Sequence, residues 1–144
     1  MAKYLGVKII EAEPMTAETA SEALNRYVST VNAEIDGDGS HPGYLVKYPD
    51  GYTSWSPKKQ FEEAYRPIDG LTFGLAIEAM RMGKRVARAG WNGRGMYLSI
   101  CEGGGFRDGF RTVDFIYMKT ADDQITPWVT SQMDVLAGNW MIVE

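Results

Sequence analysis

The sequence predicts an α+β fold, with antiparallel sheet and a few helices packed on one face, arranged as two small αβ halves that assemble as an oligomer. Three observations carry this. Helix-period stretches open each half and are followed by consecutive strand-like runs, an order that gives antiparallel pairing rather than βαβ crossovers. A chain of 144 residues with 44% hydrophobic and 12% aromatic content can bury a real core, as one domain or two very small ones. Eight Met, four Trp and eight Tyr suit a small subunit that buries extra surface by assembling.

The first half, residues 1–69, opens with Leu5, Val7, Ile9 and Ala12 in loose alternation, which predicts a strand over Tyr4–Ala12 closed by Pro14. Thr16 caps a helix expected to run to about Val31, with Ala17, Ala20, Leu24, Tyr27, Val28 and Val31 on one face. Asp36-Gly-Asp-Gly-Ser-His-Pro-Gly43 is loop. Its carboxylates resemble a calcium loop, but His41 stands where glycine is required and Lys47 where the closing acid belongs. Gly43–Tyr48 and Tyr52–Trp55 flank Pro49-Asp-Gly51 and predict a hairpin. Ser56 caps, and Pro57 opens, a helix to about Tyr65, with Trp55 and Tyr65 as core or subunit-contact residues. Arg66-Pro-Ile-Asp-Gly70 ends this half.

In the second half, residues 70–144, Thr72 caps a helix that Gly83 stops, with Phe73, Ala76, Ile77 and Met80 on its buried side. Lys84 and Arg85 complement the negative end of that helix. Strands are expected over Arg85–Ala89, Tyr97–Cys101, Asp114–Lys119 and Gln124–Val129, the last two joined at Thr120-Ala-Asp-Asp123. Ser131 and Asp134 have capping-box spacing and open a short helix ended by Gly138, followed by a closing strand over Asn139–Val143. The stretch Gly103–Thr112 is rich in glycine but lacks the Lys-Ser or Lys-Thr of a phosphate loop, so it reads as a mobile flap.

Charge and the missing chemistry exclude several function classes. With 19 acids against 15 bases, the chain lacks the electrostatics of a bulk nucleic-acid binder. No apolar run approaches the roughly twenty residues of a membrane span. The amino terminus shows no hydrophobic signal core, and the single cysteine, Cys101, permits no internal disulfide; both favour a cytoplasm. Cys101 reads as a small buried hydrophobe. One His and one Cys make neither a nucleophile pair nor a zinc set. Asp122 and Asp123 read as solvated turn residues rather than an acid/base pair or a magnesium site. No catalytic residue, metal or cofactor is expected.

One stretch concentrates ligand chemistry. From Arg81 to Arg94 there are five bases (Arg81, Lys84, Arg85, Arg88, Arg94) and no acid, in a protein of net charge −4. Bases and acids are balanced after residue 69, whereas acids outnumber bases before it. A local cation field of this kind suits a small anion rather than a polyanion. Trp91 offers a stacking face, Asn92 paired donor and acceptor atoms, and the glycines close backbone approach. The same residues also fit a structural role, with Trp91 buried, Arg88 stacked on it and Asn92-Gly93 a hairpin turn.

Leu71-Thr-Phe-Gly-Leu-Ala-Ile77, Val86-Ala-Arg-Ala-Gly-Trp-Asn-Gly93, Ile116-Tyr-Met-Lys-Thr-Ala-Asp122, Pro127-Trp-Val129 and Asn139-Trp-Met-Ile-Val143, in that order, resemble a phage-encoded domain. The resemblance is to the Thoeris anti-defence type one family, over roughly residues 70–144. It implies a sponge that sequesters a cyclic ADP-ribose-type immune signal, of the glycocyclic ADP-ribose class, in the host cytoplasm, so that Thoeris effectors are not activated. Some members are also implied to bind cyclic oligonucleotides. It further implies a homo-oligomer, a dimer or an assembly of dimers, with pockets between subunits. The candidate ligand-binding residues are Arg88, Trp91, Asn92 and Gly93, then Thr126, Pro127 and Trp128 of the later hairpin, with Phe106 and Arg107 on the flap. The chain departs from the family in an Asp122-Asp123 turn without glycine and in an expanded Gly103–Thr112 loop. Residues 1–69 are similar to segments that precede this domain in phage proteins. Two other classes stay open: an enzyme that cleaves the nucleotide, and a phage protein-interaction module.

Overall fold

Residues 1–65 form two short helices and a three-stranded sheet, and residues 66–144 form two helices, a five-stranded sheet and a small hairpin. The structure is a computed structural model that describes residues 1–91 and 95–144. Every strand pair in it is antiparallel, so the α+β architecture is as expected. Each unit, Met1–Tyr65 and Arg66–Glu144, has its own core.

In the first unit, β1 (Glu11–Pro14), β2 (Gly43–Lys47) and β3 (Thr53–Pro57) lie in that order. The first strand is far shorter than the Tyr4–Ala12 alternation predicts. Register explains this: Glu11 stands opposite Lys47, the last residue of β2, so residues upstream run past the hairpin end and meet no strand. Pro14 is part of the strand instead of its stop, which an edge position allows. Helix α1 spans Ala17–Leu24, and its Thr16 hydroxyl accepts from the Thr19 amide at 3.2 Å. It ends seven residues short of Val31 because Asn25 turns left-handed at φ 50, a common helix-stop residue. Ala17 and Ala20 are small enough to lie against Trp55, whose Nε1 donates to the Met15 carbonyl at 2.7 Å. Gly43 is required by the same indole: a Cβ there would stand 2.4 Å from the Trp55 ring. Helix α2 (Lys58–Ala64) starts one residue later than expected, with Pro57 as its cap and Ser56 left in β3. Its Phe61 stacks on Tyr44 at 4.1 Å.

The second unit opens with α3 (Phe73–Arg81), capped by the Thr72 hydroxyl accepting from Leu75 N at 3.3 Å and followed by Gly83 at φ 86. Strands β4 (Arg85–Arg88), β5 (Tyr97–Cys101), β8 (Phe115–Lys119), β9 (Ile125–Pro127) and β10 (Trp140–Val143) form the sheet in the order β10-β4-β5-β8-β9. The short helix α4 (Gln132–Leu136) begins at Ser131, whose hydroxyl accepts from Asp134 N at 3.1 Å. Ala76, Met80, Val86, Leu98 and Trp140 make the core, with Phe73 and Ile77 only half-buried beside them and Ala79 taking the remaining inner position. Cys101 is half-buried rather than buried, because strand alternation with Leu98 and Ile100 turns it to the other face of the sheet.

The expected flap is a hydrogen-bonded hairpin, β6 (Phe106–Arg107) against β7 (Phe110–Arg111). Asp108 and Gly109 both take positive φ, 51 and 83, the signature of the tight turn that matches strand twist. Its base is tied down by Gly103 N, which donates to Asp114 Oδ1 at 2.7 Å. In the Thr120–Asp123 turn, Asp123 itself takes the left-handed position at φ 63, doing the work of the missing glycine.

Candidate functional site

Sheet alternation sorts the basic residues of β4 onto two faces. Val86 and Arg88 share the face covered by α3, while Arg85 and Ala87 take the other. Arg88 does not lie on Trp91. Its Nε donates to Asn139 Oδ1 at 3.0 Å and its Nη1 to Asp134 Oδ1 at 2.9 Å. Burial alone would push the Asp134 carboxyl up, but the hydrogen bonds from Arg88 and Ser131 outweigh it and hold Asp134 below its ordinary value. Asp134 also receives Trp140 Nε1 on its carbonyl at 2.8 Å, so Arg88 is joined to the frame that seats the central indole.

Trp91 follows β4 through a turn in which its amide donates to Arg88 O at 3.3 Å. Its ring is half-buried and edge-on to Trp140 at 5.5 Å, and 6.5 Å from Trp128. Phe73 completes the group, 5.1 Å from Trp140 and 6.0 Å from Trp128. The structure therefore brings Arg88, Trp91 and Trp128 together on one side of the sheet, around Trp140. Thr126 and Pro127 are exposed on the edge strand β9, and Phe106 and Arg107 are exposed on the β6–β7 hairpin. Asn92 and Gly93 lie outside the described residues.

On the opposite face the strands place a second constellation that sequence reasoning missed. Register pairs Val143 with Arg85 and Tyr97 with Lys119, and with Val86 opposite Leu98 the side chains of Arg85 and Tyr97 are diagonal neighbours on this face. A cleft of about 500 Å³ opens there, lined by Arg85, Met96, Tyr97 and Lys119 among others. The Arg85 guanidinium lies 4.6 Å from the centre of the Tyr97 ring, a cation held over an aromatic plane rather than at the helix end predicted for it. Lys119 Nζ is 2.5 Å from Asp123 Oδ1, whose side chain is 82% exposed and can yield its partner. Gly95, at φ 72, makes room for that ammonium: a Cβ there would stand 3.1 Å from Nζ. The only sequence signal for this pairing was strand alternation through Arg85 and Lys119, which becomes visible once the register is known.

Such a cleft has the volume of a small-molecule site, about 300–1,000 Å³. Two cations and an aromatic ring suit a phosphorylated, planar ligand. A second depression of about 460 Å³ in the first unit is lined by Lys8, Tyr48, Asp50 and Tyr52 and has one cation on an unpaired segment. His41 is engaged by Glu18, with Nδ1 2.5 Å from Oε1, so the lone histidine braces α1 against its following loop. Among the described residues no group of three or more His, Cys, Asp or Glu could hold a metal ion, and no helix is long and apolar enough to cross a membrane.

The family model for the Thoeris anti-defense 2-like domain matches residues 71–143, nearly all of the second unit. A curated protein called Thoeris anti-defense 2, from Bacillus phage SP01, is 40% identical over 84 residues, covering 51% of this chain and 94% of that relative. The kinship with Thoeris anti-defence proteins expected from the motifs is thus shown, and the branch that matches is type 2 where the motifs had suggested type one.

Proposed function

Since the chain belongs to the Thoeris anti-defense 2 family, we propose that this phage anti-Thoeris protein acts as a stoichiometric sponge for a cyclic ADP-ribose-type nucleotide. The ligand is of the glycocyclic ADP-ribose class, held whole in the host cytoplasm without turnover and so denied to the Thoeris effectors. The observation that carries the reading is the Arg85–Lys119 cleft on the sheet face opposite α3. Its cations would take the diphosphate. Trp91 and Asn92 are further proposed contacts; Trp91 packs edge-on to Trp140 on the other face of the sheet, so it would meet the ligand from a second subunit. Thr126, Pro127, Trp128, Phe106 and Arg107 complete the proposed contacts; Trp128, on the Trp140 side of the sheet, would likewise act from the second subunit that closes the pocket. Arg88 acts here as a positioning residue, because two of its donors already serve Asn139 and Asp134.

A sponge needs slow release rather than a lowered barrier. The test is to mix a cyclic ADP-ribose isomer with excess protein, chromatograph the supernatant, then heat-denature and chromatograph again. The ligand should vanish from the first run and return chemically unchanged in the second. Linear ADP-ribose, or loss beyond one equivalent per site when ligand is in excess, would establish a nucleotide-cleaving enzyme instead. No loss of any cyclic nucleotide or cyclic oligonucleotide would favour a protein-interaction module. Arg85→Ala and Lys119→Ala should each weaken capture roughly tenfold or more, the usual cost of a charge-assisted hydrogen bond. Wild-type capture by both variants would move the site off this face.

A further inference from the structure

The segment upstream of β1 belongs to no helix or strand and lies beyond the last pair of its own sheet. None of the backbone groups of residues 4–10 has a hydrogen-bond partner among the described residues. Tyr4 and Leu5 are more than 90% exposed, and Val7 and Ile9 close to 40%. Drawn out as a strand, seven residues at about 3.3 Å each span some 23 Å and carry an apolar stripe. An open edge of this kind is a template for another strand.

The sequence of this segment specifies the cover. Paired antiparallel with a second copy of itself about Val7, it sets Lys3 against Glu11, Tyr4 against Ile10, Leu5 against Ile9, Gly6 against Lys8 and Val7 against Val7. Leu5, Val7 and Ile9 then form one continuous apolar face across both strands, and an opposite-charge pair closes each end. Lys8 faces a glycine, which leaves its side chain where it already lies, 4.2 Å over the Tyr48 ring. A slip of one residue turns the apolar side chains to opposite faces, and a parallel in-register pair sets Lys3 against Lys3 and Glu11 against Glu11.

We infer that residues 3–11 form an isologous antiparallel strand pair between two copies of this chain, centred on Val7. The contact lies in the first unit, outside the residues that match the family, and it joins two three-stranded sheets into one of six. Being two-fold, it uses up the open edge on both partners and stops at a pair.

Sedimentation of the full chain tests this. Val7→Asp places two like charges face to face on the axis, at an exposed position that no core depends on. The wild type should sediment at twice the mass of the V7D variant, which should keep a cooperative melting transition while losing the rise of midpoint with concentration that association gives the wild type. A wild-type species of 16.1 kDa, or equal masses for the two proteins, overturns the proposal. Lys3→Glu and Glu11→Lys should each raise the dissociation constant of this contact about threefold, and the double variant should restore it. A double variant no tighter than the singles overturns the register.

Discussion

Arg88 shows how a residue that looks like a ligand group is claimed by the fold. Its fork reaches Asn139 and Asp134, and Asp134 at once donates its amide to the Ser131 cap of α4, accepts from Trp140 Nε1 on its carbonyl and carries the charge that Arg88 neutralises. Arg88→Ala should therefore lower stability by roughly 1–3 kcal/mol, the cost of stranding a charged, half-buried partner. Because the folded Asp134 sits below its ordinary value of 3.8, its contribution is complete above that pH and fades as the pH falls through the lower folded value. Denaturant midpoints of wild type and variant should thus converge below about pH 4, and a constant gap down to pH 2 would sink this account. Trp140 is fully buried, and Trp140→Ala should cost about 3–5 kcal/mol by calorimetry. Trp91 is only half-buried against the same core, so Trp91→Ala should leave a folded protein with reduced ligand capture. A loss of folding as severe as that of the Trp140 variant would make Trp91 a core residue alone.

Element boundaries follow caps and left-handed residues more closely than hydrophobic period. Helix α1 stops at Asn25 although apolar residues continue to Val31, and the β6–β7 hairpin forms across Asp108-Gly109 although its composition suggested a loop. In the first unit, sheet β1–β3 accepts α1 only because Gly43 leaves room for Trp55. Gly43→Ala should cost about 1–3 kcal/mol through overpacking, read as a lower thermal midpoint. An unchanged midpoint would mean that Trp55 has another place to go. Gly109→Ala should loosen the hairpin, since φ 83 strains any residue with a Cβ, and the effect should appear as faster amide exchange confined to residues 105–112.

At the scale of the whole chain, the second unit contains its own core, from Leu71 through Val86 and Leu98 to Trp140. The phage relative is matched over 94% of its length by 51% of this chain, so the anti-defense domain is about half of this chain in size. Residues 66–144 expressed alone should fold cooperatively, read as a single melting transition. A fragment that melts without a transition would show that the first unit completes the core. The first unit should in turn set the assembly state through its amino-terminal strand.

Local physics made much of this legible beforehand. Thr72, Gly83, Ser131 and the alternation of Tyr97–Cys101 act through neighbours a few residues away, so α3, α4, β5 and β10 could be read from sequence alone, and the motif order pointed to the Thoeris anti-defence proteins. Residue type also marked Arg88 and Trp91 as unusual. What no local signal carried was pairing: that Glu11 meets the last residue of β2, that Arg88 reaches Asp134 forty-six positions away, and that Arg85 and Lys119 face one cleft while Arg88 turns to the core. Those facts depend on which strands become neighbours and in what register, and register is set by the summed packing of both sheet faces, which exists only once the chain has folded.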